Sequence, residues 1–220
     1  MTDNAKTALA ALRDSDHPLG RPLALCLMFE PANDQLLAAS IFDLALALDS
    51  ALHIPSESLL AAIRVQWWVD ALSDNDAQTA PLVTQLHAQF QTHDGLQSDT
   101  IDLIGHWQTA CHDENRDNSD GWAAVWAFVA KHMGQAAQSA IATDIGHQLH
   151  YAIRGHEPHA AVPLNRPRIS ALRRNDAGQK RSFLYLVACW LRYVQRPNAD
   201  ANHPALVFYM LAWQLFGSPR

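Results

Sequence analysis

Residues Leu59 to Leu72 read LLAAIRVQWWVDAL, and their apolar spacing at about 100° per residue makes this stretch a helix. Gln66, Asp70 and Ser73 fall together in one narrow polar stripe, and nearly everything else on the helix is apolar. A helix of this kind is expected at the centre of a fold. Arg64 is the exception, since its neighbours one turn away are Leu60, Ala61, Trp67, Trp68 and Ala71. A guanidinium held amid apolar surface needs a partner, because an unpaired buried ion is costly. Three partners suit it: a carboxylate on an adjacent helix with stacking on Trp67 or Trp68, an anionic ligand, or a partner protein. The first is the ordinary structural arrangement.

With 220 residues, 49% of them hydrophobic, the chain has enough apolar side chain for one large core, and a single domain over residues 1–220 is expected. Twenty-two acidic residues against sixteen basic ones leave a formal charge of −6, which gives no positive field for nucleic acid and excludes that partner class. Cys26, Cys111 and Cys189 are odd in number and far apart, which argues against a disulfide framework and for a reducing compartment. Cys111 precedes His112 but falls on an apolar stripe, so it reads as a buried, inert thiol rather than a nucleophile. The first residues, MTDNAKTALAALRDSD, carry an early Asp and no apolar run of signal-peptide length. No run reaches about 18 consecutive apolar residues. The expectation is a cytoplasmic protein, at most peripheral at the inner membrane.

The rest of the chain reads as helices joined by short loops. They run from Thr7 to Arg13, from Arg21 to Phe29, from a cap at Asn33 to about Leu52, and from a cap at Ser56 to about Asp74. Leu37, Ile41, Leu44 and Leu48 share one face of the third. A further helix starts at Thr79 and Pro81 and ends before Gly95. The next starts at Ser98 and carries Ile101, Ile104, Trp107 and Cys111 at helical spacing. After a polar loop from His112 to Asp120, Trp122, Val125, Trp126, Val129 and Met133 form a core-facing stripe. Helices over Gln135–Arg154, Ser182–Tyr193 and Pro204–Phe216 follow. Between the first two, Gly155 to Pro167 holds Pro158, Pro163 and Pro167 and is a candidate functional loop. Strand alternation is absent, so the class is all-α, a bundle of about eight to ten helices.

The segment Ala62 to Leu72 resembles the R-L-Q-W-W-R-D-A-L signature of the squalene/phytoene synthase superfamily, above all its complex I assembly-factor-like branch. Asp16 to Leu27 with the following Pro31 is similar to that family's opening segment, with Arg21 as its arginine. Ile145 to Leu164 is similar to a later segment, matched at Gly146, Leu149, Ile153, Arg154, Pro158 and Pro163. The three cover most of residues 16–165. The resemblance implies an isoprenoid-synthase fold, a helical bundle around a central cavity. Active members join two prenyl diphosphates head to head, and two D-x-x-x-D motifs on facing helices hold the Mg²⁺ ions that bind the diphosphates. The i, i+4 spacing puts both carboxylates on one helix face, where hard Mg²⁺ can bridge them to phosphate.

The chain departs from that pattern at both motifs. Where the first belongs it has Ala47 and Ala51, while Asp43 and Asp49 stand about 240° apart around the helix and cannot share an ion. Where the second belongs, after Arg154, it has Gly155, His156, a single Glu157 and His159. No D-x-x-x-D occurs within residues 34–60 or 140–165. Without the ions, the leaving diphosphate loses its electrostatic stabilisation.

The resemblance therefore implies a bacterial, non-catalytic member of the family that acts by binding. It is expected to be either an assembly or chaperone-type factor for a respiratory complex, with a protein partner, or a carrier of an isoprenoid or lipid. A prenyl-diphosphate transferase with atypical Mg²⁺ ligands is the alternative, and a ligand-free structural domain is the third reading. Arg64, Trp67, Trp68, Gln148 and Arg154 are the candidate cavity residues, the two arginines suiting an anionic head group or a carboxylate. The competing structural reading pairs those arginines with Asp43, Asp49 or Asp144. His147 and His150, at i, i+3, with His156 and His159 in the loop after them, are weak metal candidates. No Cys lies near, and the ordinary reading is of surface and hydrogen-bonding histidines, with no cofactor.

Overall fold

The computed structural model describes residues 2–74, 80–154, 168–169, 172, 183–194, 200 and 203–216. They form α1 (Thr2–Arg13), α2 (Gly20–Leu27), α3 (Ala32–His53), α4 (Ser58–Ser73), α5 (Pro81–Phe90), α6 (Leu96–Ala110), α7 (Ser119–His132), α8 (Ser139–Arg154), α9 (Phe183–Val194) and α10 (Leu206–Phe216). A 3₁₀ turn at Ala136–Gln138 leads into α8, and no strand occurs among the described residues. The all-α bundle read from the sequence is the architecture observed.

Local chemistry sets the helix ends. α3 starts one residue before Asn33, with Pro31 as its N-cap at φ −58° and ψ 151°, and α4 is capped by Glu57 rather than Ser56. Neither cap makes a side-chain hydrogen bond, so both expected polar caps are corrected. Pro31 presets the extended entry by its ring, and its carbonyl accepts from the Gln35 N–H at 2.9 Å. Gly95, at φ +75°, turns the chain into α6, a backbone conformation that a Cβ would strain.

α3 is the central helix. Leu37, Ile41, Leu44 and Leu48 are buried as their spacing predicts, and so are Ala38, Phe42, Ala45 and Leu52, because α1, α2, α4, α5, α6 and α7 all pack against it. It is also the one described helix long and apolar enough to cross a membrane by length and composition, and its apolar window is 72% buried here. The aromatic centre is shared by α3, α7 and α9. Trp126 and Phe183 stack with centroids 5.9 Å apart, and Phe42 meets Trp126 at 4.9 Å. On α7, Trp122, Val125, Trp126 and Val129 are buried and Met133 is partly so. Gly146 lets α8 lie hard against α7, since a Cβ there would stand 2.7 Å from the Ala123 Cα and the Trp122 carbonyl oxygen. The three cysteines are buried and form no disulfide, and burial pushes the Cys26 and Cys111 thiols up.

The expectation for α4 is overturned. It is not central: only Ala61, Val65, Ala71 and Leu72 are buried, while Leu59 (70% exposed), Leu60 (47%), Ile63 (56%) and Trp67 (42%) face outward. The apolar residues cover most of the circumference outside the Gln66, Asp70 and Ser73 stripe, so their pattern does not say which side a neighbour will cover. The small stripe of Ala61 and Val65, continued to Leu72, suffices to seat it on α3 and α6, and the larger side chains are left on the other side.

Candidate functional site

Ala47, Ser50, Ala51 and Ile54 are neighbours on one face of α3, three to four residues apart, and continue past its end. Arg64, Trp67 and Trp68 have the same relation on α4. Where the two helices meet, these seven residues line an open groove of about 360 Å³. The Trp67 and Trp68 rings stand edge to face, 4.9 Å between centroids. Beyond the groove, Leu59, Leu60 and Ile63 extend the apolar surface along α4. From Leu59 to Trp67 the face is about 12 Å long, at 1.5 Å per residue.

Arg64, Trp67 and Trp68 are thus brought together as expected, but Arg64 is exposed rather than enclosed, because its face of α4 is uncovered. No ion pair or hydrogen bond engages its guanidinium among the described residues, and the carboxylates expected to pair with it are placed elsewhere. Asp144 pairs with Arg168. Burial pushes the Asp43 carboxyl above its ordinary range. Asp49 has its own surroundings: it accepts from Asn118 Nδ2 at 2.7 Å and from Trp122 Nε1 at 3.2 Å, with His17 and His53 Nε2 each 3.7 Å from it.

Gln148 is buried on α8 and does not line the groove. Arg154 closes α8, and its side chain lies outside the described residues. The same holds for His156, His159 and the proline-rich loop from Gly155 to Pro167. His150 is buried and reaches Asp117 at 3.3 Å, while His147 is half-buried. Among the described residues no three His, Cys, Asp or Glu side chains are placed to hold a metal ion.

Two features escape the sequence reading. Arg116, in the left-handed region at φ +50°, donates to the carbonyl oxygens of Leu52 (3.0 Å), Pro55 (2.5 Å) and Ser56 (2.9 Å). It staples the turn that joins the two walls of the groove. Asp49 with His53 at i, i+4 was visible on α3, but nothing in the pattern signalled that Asn118 and Trp122 would meet it.

Among the described residues, the groove offers one cation, two indole rings and apolar surface. Ala47 and Ala51, standing where the resemblance puts the first aspartate pair, line its wall as methyl groups and offer Mg²⁺ no oxygen. The α4 wall holds no acid or base for proton transfer. Such a lining can hold an apolar group by burial and an anion by a charge-assisted hydrogen bond. Compared with protein-family profiles, curated proteins and solved structures, the chain has no match.

Proposed function

We propose that this protein acts by binding, and that the α4 face docks an apolar helix of a partner protein that carries a carboxylate for Arg64. The observation behind this is the contiguous exposure of Leu59, Leu60, Ile63 and Trp67 beside Arg64. Single exposed apolar residues are ordinary, whereas a continuous apolar stripe marks a contact surface. A shallow, straight face about 12 Å long fits a helix read through i, i+3, i+4 anchors better than it fits an enclosed small molecule. The charge balance of −6, with exposed Glu57, Asp70 and Asp74 flanking α4, opposes an anionic bilayer and favours a protein occupant. Read with the resemblance over residues 16–165, the partner would be a respiratory-complex subunit during assembly. The prenyl-transferase alternative draws no support from a groove with alanines at positions 47 and 51.

A pair of amphipathic helical peptides, identical in apolar face and differing by Glu or Lys beside it, tests this reading. The Glu peptide is expected to bind about 1.5- to fivefold more tightly, the worth of one partly exposed ion pair, and Arg64→Glu to reverse the order. Equal binding of both peptides, or preferential uptake of the protein by phosphatidylglycerol vesicles, would overturn it.

A further inference from the structure

A second cavity, separate from the groove, lies between α1, the start of α3 and α5, with a volume of about 620 Å³, within the range of small-molecule sites. Asn4, Thr7, Asn33, Thr84, Gln85 and Gln89 supply most of its polar lining, with Thr92 and His93 beside them, and no Asp, Glu, Lys or Arg lines it among the described residues. Leu36, Pro81 and Ala88 complete an apolar patch.

The hydrogen bonds around it leave a consistent remainder. Thr7 donates to the Asp3 carbonyl at 2.9 Å, and Thr84 donates to that of Ala80 at 3.4 Å. Gln85 and Gln89 both donate their Nε2 hydrogens to Ser40 Oγ, the second at 2.8 Å. Ser40 in turn donates to the Leu36 carbonyl at 2.6 Å, so its hydroxyl is saturated. The threonine hydroxyls and both glutamine amide oxygens keep acceptor capacity for the cavity, and each glutamine Nε2 keeps one further hydrogen. Gln89 is only 5% exposed, and its Oε1 has no partner among the described residues. A buried, unpartnered acceptor is costly, so it calls for a donor.

We infer that this cavity is a binding site for an uncharged, polyhydroxylated small molecule, a sugar or polyol whose hydroxyls donate to Gln89, Gln85 and Thr84. An anion would find no Lys or Arg to balance it, His93 being the one ionisable side chain among the lining residues described, and an ammonium would be desolvated without a carboxylate. A neutral ligand rich in O–H groups meets neither penalty, and its carbon skeleton can rest on Leu36 and Pro81.

Saturation-transfer NMR on the full chain, with glucose, galactose, mannitol and myo-inositol as neutral probes and glucosamine and glucuronate as charged ones, tests the inference. At least one neutral probe is expected to receive saturation, and both charged sugars less. Thr84→Val, at an exposed helix position that keeps the fold, is expected to weaken that binding about two- to tenfold, the value of one neutral hydrogen bond. Gln89→Leu is expected to abolish binding while the unfolding midpoint moves little, because it removes the orphaned acceptor together with the Nε2 hydrogen bond to Ser40, whose hydroxyl still accepts from Gln85. Saturation of no neutral probe, stronger transfer to a charged sugar, or binding untouched by Thr84→Val would overturn the inference. An Arg64→Glu protein should bind the same probes unchanged, which keeps this site distinct from the α4 face.

Discussion

Replacing Gly146 with alanine should destabilise the protein, although the same change at Gly105 should do the reverse. Gly146 sits where α8 crosses α7, and a Cβ there would lie 2.7 Å from the Ala123 Cα, 2.7 Å from the Trp122 oxygen and 2.8 Å from Trp126 Cδ1. Two of these neighbours are backbone atoms, so no rotamer change relieves the clash. The helices must separate by about 0.7 Å at that point to regain an ordinary 3.4 Å contact. Overpacking of this kind costs about 3 kcal/mol, and alanine's better helix propensity returns about 1 kcal/mol, leaving a net loss of about 2 kcal/mol. In a chain of this length that is a Tm fall of about 4–8 °C. Gly105, on α6, has nothing within 4 Å of its virtual Cβ, so Gly105→Ala should gain about 0.5–1 kcal/mol. Urea unfolding followed by helical circular dichroism measures both. A Gly146→Ala protein as stable as Gly105→Ala would refute the close α7–α8 contact.

Three other outcomes follow from named contacts. Asp49→Ala strands the Asn118 and Trp122 donors and should cost about 2–5 kcal/mol in urea unfolding, and a loss under 1 kcal/mol would contradict the buried network. Burial raises the Glu30 carboxyl above its ordinary 4.5, against the opposing hydrogen bond from the Phe183 N–H. The folded state therefore binds this proton more tightly than the unfolded chain does. Its contribution to stability is full below pH 4.5 and is lost as pH rises through the folded value. Glu30→Gln, which keeps an acceptor for Phe183, should gain on the wild type as pH rises from 4 to 7 in a urea-midpoint series, and a pH-independent difference would refute this. Arg116→Ala should release the turn at residues 54–57, raising its amide hydrogen exchange and costing about 1.5–3 kcal/mol, and unchanged exchange there would contradict the staple.

Where a residue's environment follows from its own helix, the sequence reading and the structure agree. Trp122, Val125, Trp126 and Val129 share a face through their spacing alone, and Arg64 meets Trp67 and Trp68 by the same rule. What the spacing does not say is which face a neighbour will cover. Outside its polar stripe of Gln66, Asp70 and Ser73, α4 is apolar over most of its circumference, and it is the small Ala61 and Val65 that α3 accepts, leaving the indole of Trp67 and the side chain of Ile63 outside. The opposite groove wall, from Ala47 to Ile54, and the distant partners of Asp49 are tertiary facts with no local signature. Gln148 shows the same limit, since the spacing placed it on α8 but not on which side of α8 the open surface would lie.

The most direct test is to titrate the Glu-bearing amphipathic peptide into wild-type protein and into Ile63→Asp by calorimetry, with the unfolding midpoint of each recorded alongside. Ile63 is 56% exposed at the middle of the α4 face, so the substitution should change stability by no more than about 0.5 kcal/mol while peptide binding is lost. A collapse in stability would mean that this face is core, and undiminished binding would mean that the partner docks elsewhere.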